Sequence, residues 1–506
     1  MLQIDHLTIT HIKDLRTVVS DLSLVLRPGD KAAIIGEEGN GKSTLLKLIH
    51  DPALVENYAE WTGKILKKGA RLGYLPQELP AEQQEISAGE FWGGGIPLTP
   101  AQADKLLEEL KIPQQTANSS QLMKSLSGGE RIKLQLARIL AQEPDVLLLD
   151  EPSNDLDLEA LQWLEDFLIS CPLAVLFVSH DETLLEKTAN MIIHLEALRR
   201  KAAPRCTVSR VPYRDYVEAR QSNFRHQAQV SRKEHDEFRK RMDRFMQIRN
   251  KVEHQQATIT RQDPHGGRLL KKKMHAVQSM GRRFEKEKEK LTQMPEMEEA
   301  IFLRFPETSR IPQGKTVVDF SLPVLEAGGR ILSRNIHLKV RGPEKVGIVG
   351  PNGCGKTTLL RLLFGELMSR THIRCAYMPQ NYSETLDLDR SPVDLLNHSG
   401  SRAEATRIRS HLGSLRFTTL EMDHPARELS GGQKAKLFFL QMVLDEANLL
   451  LLDEPTRNFS PLSGPVIRDI LTDFGGAVIS ISHDRRYLEQ VCDTIYALTP
   501  DGLIKL

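Results

Sequence analysis

The 506-residue chain carries one ordered set of short motifs twice, and this repeat restricts the fold more than any other feature of the sequence. Gly36-Glu37-Glu38-Gly39-Asn40-Gly41-Lys42-Ser43 answers Gly350-Pro351-Asn352-Gly353-Cys354-Gly355-Lys356-Thr357. Leu126-Ser127-Gly128-Gly129-Glu130 answers Leu429-Ser430-Gly431-Gly432-Gln433, the runs ending in Asp150-Glu151-Pro152 and Asp453-Glu454-Pro455 correspond, and Ser179-His180-Asp181 answers Ser482-His483-Asp484. The offset is 303 residues from Gln77/Gln380 onward but 314 at Lys42/Lys356, so the first copy holds 11 extra residues between its glycine-rich loop and Gln77. Two homologous domains with one local insertion follow.

Each motif sits where its chemistry needs it. The glycine-rich loops follow apolar runs (Ala32 to Ile35; Val346 to Val349) that read as strands, and precede runs (Thr44 to Ile49; Thr358 to Phe364) that read as helices. Gly36, Gly39 and Gly41, like Gly350, Gly353 and Gly355, let backbone N–H groups turn inward on phosphates, and the following helix adds its positive end from Thr44 or Thr358. Lys42 and Lys356 can then reach the β and γ phosphates, while the Ser43 and Thr357 hydroxyls can ligate Mg²⁺.

Val146 to Leu149 and Leu449 to Leu452 read as strands buried on both faces. Asp150 and Asp453 at their ends can organise Mg²⁺, and Glu151 and Glu454 can polarise an attacking water. His180 and His483 follow further apolar strands, placed to sense a γ-phosphate. Ser127-Gly128-Gly129 and Ser430-Gly431-Gly432 open helices (Glu130 to Leu140; Gln433 to Leu444), offering backbone donors to a phosphate presented by another domain.

This combination resembles the ATP-binding cassette superfamily, over most of residues 1–196 and about 315–506. The resemblance implies two P-loop domains closing head to tail on two ATP molecules, each with Mg²⁺, inside one monomeric chain. One site would use Lys42, Ser43, Gln77, Asp150, Glu151 and His180, completed by Ser430 and Gly432. The other would use Lys356, Thr357, Gln380, Asp453, Glu454 and His483, completed by Ser127 and Gly129. Gln77 and Gln380 join the metal set by the same resemblance. The loop after the second Asp-Glu departs from the family: Asn154-Asp155-Leu156-Asp157 is answered by Arg457-Asn458-Phe459-Ser460, with Ser460 in place of a carboxylate, which implies unequal hydrolysis at the two sites. Neither copy shows an obvious aromatic for adenine stacking (Thr10 to Leu15; Leu325 to Ile331).

Between the repeats the charge changes. The net charge of +1 conceals 26 Lys and Arg against 11 Asp and Glu from Arg199 to Lys290, leaving −14 for the remaining 414 residues. Tyr213 to Asp263 holds neither Pro nor Gly over 51 residues, which predicts a helix of about 45 residues, roughly 65 to 70 Å long. Phe238, Met242, Phe245, Ile248 and Val252 form its apolar seam. Leu270, Met274, Val277, Phe284 and Leu291 form that of a returning helix, with a turn at the tip near 261–267. An exposed run at Arg268, Lys271, Lys272, Lys273, Arg282 and Arg283 is more than a passive spacer requires, and Arg261, Arg268, Lys271, Lys272 and Lys273 are the expected contacts to RNA phosphates.

The expected architecture is α/β, with two tandem ATP-binding cassette (P-loop NTPase) domains at 1–196 and 313–506 joined by a long basic α-helical hairpin at 197–312. That layout resembles the ABC-F proteins, whose linker enters the ribosomal tRNA exit site. The implied partners are the 70S ribosome, its rRNA and the peptidyl tRNA. In both copies the residue before the Ser-Gly-Gly serine stands 49 positions after the Gln, leaving no room for an inserted arm, and 23 residues follow His483. This resembles members that protect ribosomes from antibiotics. A short hairpin tip points instead to a housekeeping translation factor, and a transporter ATPase remains a distant alternative.

Composition excludes other classes. No apolar run approaches the roughly 18 to 20 residues of a membrane span. The five cysteines form no C-x-x-C pair, and Met1-Leu2-Gln3-Ile4-Asp5 has no leader character, so a cytoplasmic protein without membrane contact is expected.

Overall fold

The computed structural model describes residues 1–94, 98–198, 203–258, 264–288, 290–294, 303–370 and 373–506, with backbone alone at 256, 258 and 264–267. Its two compact units are Met1–Tyr213 with Glu298–Leu506, and Arg214–Met297.

In the first repeat, β1 (Leu2–His11), β2 (Thr17–Leu26) and β4 (Ala59–Leu66) make an antiparallel sheet in the order β2-β1-β4. A second sheet contains β3 (Lys31–Ile35), β5 (Leu72–Leu75), β6 (Val146–Asp150), β7 (Ala174–Val178), β8 (Met191–Ala197) and β9 (Ala203–Ser209), in the order β5-β6-β7-β3-β8-β9. It is parallel except at the β8/β9 edge. Every residue of β3, β6 and β7 is buried, as a parallel sheet covered on both faces requires. The covering helices include α1 (Lys42–His50), α2 (Gly128–Leu140), α3 (Leu158–Ser170) and α4 (Glu182–Thr188). Leu45, Leu46, Leu48 and Ile49 of α1 fill the space between the two sheets, packed with Ile4, Ile9 and Val19.

The basic segment forms α5 (Tyr213–Thr258) and α6 (Pro264–Lys288). At 46 residues α5 spans about 69 Å. Phe284 lies between Phe238 and Phe245, with ring centroids 5.8 and 5.2 Å away, and Val252 and Val277 extend the same seam. Hydrogen bonds from Ser231 Oγ to the Thr292 carbonyl (2.8 Å) and from Thr292 N to Glu234 Oε2 (2.8 Å) tie the returning chain to α5.

Two sequence expectations need correction here. Ile248 is 49% exposed, because the buried stripe runs through 238, 242, 245 and 252 and leaves position 248 on its flank. Residues 264–267, expected in the turn, belong to the first turn of α6. Proline at a first helical position loses no hydrogen bond, and its fixed φ already suits the helix. Arg261 lies outside the described residues.

The second repeat reproduces the first. Strands β10 (Thr316–Ala327) and β11 (Arg330–Arg341) pair antiparallel. The second sheet comprises β12 (Lys345–Val349), β13 (Cys375–Met378), β14 (Leu449–Asp453), β15 (Ala477–Ile481), β16 (Thr494–Thr499) and β17 (Gly502–Lys505), in the matching order β13-β14-β15-β12-β16-β17. Helices α7 (Lys356–Leu367), α8 (Gly431–Leu444), α9 (Gly464–Thr472) and α10 (Arg485–Val491) correspond to α1 through α4. Among the described residues β4 has no counterpart between α7 and β13. The extra residues of the first copy therefore build the third strand of its antiparallel sheet. No helix of the described residues is long and apolar enough to cross a membrane.

Candidate functional site

The strand order decides which side chains meet. In β6-β7-β3 the three carboxyl ends lie side by side, so Asp150-Glu151, His180 and the 36–43 loop converge at the crevice where parallel sheets bind ligands. The order β14-β15-β12 does the same for Asp453-Glu454, His483 and the 350–357 loop.

In both loops the lysine folds back onto its own turn. Lys42 Nζ donates to the carbonyls of Gly36 (2.8 Å) and Glu37 (3.1 Å), and Lys356 Nζ to those of Gly350 (2.7 Å) and Pro351 (2.9 Å). Gly41 and Gly355, at φ 84° and 99°, make the left-handed step that starts α1 and α7. Ser43 Oγ donates to Asp150 Oδ1 at 2.9 Å and Thr357 Oγ1 to Asp453 Oδ2 at 2.7 Å. Asp150 Oδ2 is buried without a hydrogen-bond partner. Burial raises the Asp150 carboxyl to about 6, and it raises that of Asp453 as well. A hydroxyl beside a buried carboxylate with a spare oxygen is a donor set that fits Mg²⁺.

Glu151 and Glu454 both adopt positive φ, 50° and 53°, in the left-handed region that non-glycine residues rarely enter. Their N–H groups donate to the ends of the neighbouring strands, to Val178 O (3.1 Å) and Ile481 O (2.9 Å). The strand ends thus force each carboxylate toward its cradle.

From there the two sites differ. Glu151 accepts from Gln77 Nε2 (3.1 Å) and from Asn154 Nδ2, and its other oxygen lies 3.4 Å from His180 Nε2. Burial alone would raise this carboxyl, but His180, Lys42 and Asn154 outweigh it and hold it near 2. His180 Nδ1 lies 2.6 Å from the carbonyl of Phe459, in the second repeat. A carbonyl only accepts, so Nδ1 donates this bond.

Glu454 lacks such an arrangement. Its Oε1 has no hydrogen-bond partner, its Oε2 accepts only from His483 N at 3.3 Å, and burial beside Asp453 pushes it up to about 8. His483 Nε2 is 3.8 Å from Glu454 Oε1, and burial and Lys356 lower its imidazole to about 4. Both shifts disfavour an ion pair at that contact.

The Ser-Gly-Gly segments are built by capping boxes. Glu130 N donates to Ser127 Oγ and Ser127 N to Glu130 Oε2; Gln433 and Ser430 repeat the exchange. The fifth residue of each motif thereby fixes the helix start at its two glycines. Ser127 and Gly128 share a cavity of about 900 Å³ with Gly353, Lys356, Thr357, Thr358, Gln380, Glu454 and His483. The second cradle and the first repeat's Ser-Gly-Gly helix thus form one cavity, with aliphatic walls at Ala327 and Leu332. On the other side, Gly432 N meets Glu38 Oε2 at 2.5 Å, which brings the Ser430 helix onto the first loop.

Several contacts across this interface were not expected from sequence. Glu37 Oε1 accepts from Ser460 Oγ (2.7 Å) and Ser463 Oγ, Asn352 Nδ2 donates to Asp155 O (2.6 Å), and Arg457 pairs with Asp155 (2.9 Å). Buried Glu165 pairs with Arg485 (2.8 Å) and buried Glu182 with Arg468 (2.7 Å). The available signal was the disagreement between copies inside the loop motif, Glu37-Glu38 against Pro351-Asn352. On the hairpin, Arg268, Lys271, Lys272 and Lys273 are exposed.

The family described as ABC transporter matches at residues 19–154 and 333–457. The ribosome protection protein VmlR of Bacillus subtilis is 30% identical, with 98% of this chain and 86% of that protein covered. The ATP-binding protein Uup of Haemophilus influenzae is 28% identical over 95% and 76%, and ABC transporter F family member 2 of Arabidopsis thaliana 26% identical over 96% and 75%. Among solved structures, the archaeal ribosome recycling factor aABCE1, in complex with ribosomal stalk protein aP1, matches with a TM-score of 0.60 at 16% identity, covering 99% of this chain and 90% of that one. At that identity the likeness speaks for the fold.

Proposed function

Because the chain belongs to the ABC-F branch of the ATP-binding cassette family and is a P-loop ATP hydrolase, we propose that it acts on the ribosome, its hairpin entering the tRNA exit site near the peptidyl-transferase centre and its two cassettes closing on ATP to protect the ribosome from antibiotics bound there. The cavity that joins the Lys356 loop to the Ser127 helix carries the ATP half of this reading, because its two walls come from different cassettes. A nucleotide filling it gains contacts to both and draws them together.

In the first site Lys42 and the loop N–H groups hold the phosphates, Ser43 and Asp150 hold Mg²⁺ with Gln77 beside them, and Glu151 takes the proton of the attacking water. Thr357, Asp453, Gln380 and Glu454 have these roles in the second. When bound, Mg²⁺ offsets the charge that develops on the phosphate oxygens. Glu151 is already ionised and oriented by three partners. Glu454 must gain its orienting contacts as the second site closes. His180 and His483 report on the γ-phosphate, and opening after hydrolysis releases the protein.

The ribosomal half rests on the hairpin and on a relative whose name is ribosome protection protein. Two helices presenting Arg268, Lys271, Lys272 and Lys273 to solvent offer phosphate contacts without base readout, as folded RNA requires. A housekeeping role in elongation is the second reading, favoured by the close spacing of the two helices in sequence, Thr258 to Pro264. The test is translation in a bacterial lysate inhibited by a drug of the peptidyl-transferase centre. Purified protein restores synthesis, and Lys271→Glu, Lys272→Glu, Lys273→Glu does not while keeping its basal ATPase. Stimulation of uninhibited synthesis without rescue supports the housekeeping reading instead.

A further inference from the structure

The first phosphate loop holds two carboxylates, Glu37 and Glu38, where the second holds Pro351 and Asn352. Both reach into the opposite cassette. Glu38 Oε2 accepts from Gly432 N at 2.5 Å, and a Cβ added at Gly431 would come within 2.8 Å of the same oxygen. The carboxylate therefore sits on the first turn of α8, a 14-residue helix with no acidic residue of its own in that turn. Its counterpart α2 has Glu130 there and opens onto the 900 Å³ cavity. Asn352, at the position of Glu38, turns aside to the Asp155 carbonyl. Glu37, held by Ser460 and Ser463, keeps the loop against the second cassette.

We propose that Glu38 is a tethered competitor for the γ-phosphate at the first site, seated on the donors of α8 that a nucleoside triphosphate needs. The inference rests on reading the Lys42 loop and the Ser430 helix as one nucleotide site. A helix N-terminus favours one anion, and two anions on the same N–H groups would repel each other. Triphosphate binding must displace Glu38, whereas a diphosphate, held by the Lys42 loop, leaves it in place. The first site therefore discriminates between ATP and ADP less than the second does, and Glu38 returns to α8 when the γ-phosphate leaves.

The experiment uses the full chain carrying Lys356→Ala, so that only the first site binds, and measures dissociation constants for a fluorescent non-hydrolysable ATP analogue and for fluorescent ADP. Glu38→Asn, which copies the second loop, and the isosteric Glu38→Gln should both tighten the triphosphate by about tenfold, the scale of one charge-assisted hydrogen bond, with ADP unchanged. An equal gain for both nucleotides would mean general relief of negative charge, and no gain or a loss for the triphosphate would mean that Glu38 helps binding; any of these overturns the proposal. Lys42→Ala in the same background separates the two ideas. If it abolishes binding while the Glu38 variants change nothing, the competition alone fails; if it leaves binding intact, the assignment of the site fails and takes the competition with it.

Discussion

At the residue scale, the serine that replaces a carboxylate in the second cassette has a physical explanation. Ser460 is buried and donates to Glu37, so an aspartate there would set two carboxylates against each other. In the first cassette Asp157 instead accepts from Ala160 N (3.0 Å) as the cap of α3, and the opposing loop carries Pro351. The departure at 460 and the departure at 37 form one exchange of charge across the interface. Ser460→Asp should destabilise the folded chain by roughly 2 kcal/mol or more, read by chemical unfolding, and Glu37→Gln should restore most of it; additive losses would contradict the pairing. Burial would raise the Glu37 carboxyl, but Lys436, Ser463, Ser460 and Lys42 together hold it below its ordinary 4.5. A depressed carboxylate stabilises the fold above its ordinary range and loses that contribution as pH falls through the folded value. Stability should therefore decline below about pH 4.5, less steeply in Glu37→Gln, as followed by thermal unfolding across pH. That Lys42, Ser43, Asp150, Glu151 and His180 converge was legible from the repeated motifs and their places at strand ends. Glu37 and Glu38 were not, because the loop motif fixes its glycines and leaves the positions between them open.

At the element scale, hydrophobic period and the absence of Pro and Gly were enough to expect a helix of about 45 residues, against 46 in the structure. The same pattern could not say which flank of the stripe the second helix covers, and so Ile248 was misplaced. Nor could it show that Pro264 begins a helix, since a Pro-His-Gly-Gly run has a turn's composition while meeting the needs of a first helical turn. The aromatic trio Phe238, Phe245 and Phe284 is the main lock of the hairpin. Phe284→Ala should cost about 2 to 3 kcal/mol, seen as lost amide-exchange protection along α5 and α6 with basal ATPase retained. Unchanged protection would show that the ion pair Arg241–Glu287 and the Thr292 bonds suffice without it.

At the scale of the whole molecule, the repeat in sequence becomes the same strand order twice, and nearly all of that was legible from motif order. What was not legible is how far two equivalent sets of residues differ once folded. In the first site Glu151 accepts from Gln77 and Asn154 beside His180, and the loop carboxylates Glu37 and Glu38 are held by the other cassette; in the second, Glu454 accepts from the His483 backbone N–H alone and the cradle opens into the 900 Å³ cavity. Single-turnover hydrolysis by Glu151→Gln and by Glu454→Gln should accordingly give unequal residual rates, and equal rates would contradict the asymmetry. The central claim joins closure on ATP to ribosome binding through one basic hairpin. Its most direct test is co-sedimentation of the Glu151→Gln, Glu454→Gln protein with 70S ribosomes in the presence and absence of ATP. The account predicts pelleting that depends on ATP; no pelleting, or pelleting indifferent to ATP, would contradict it.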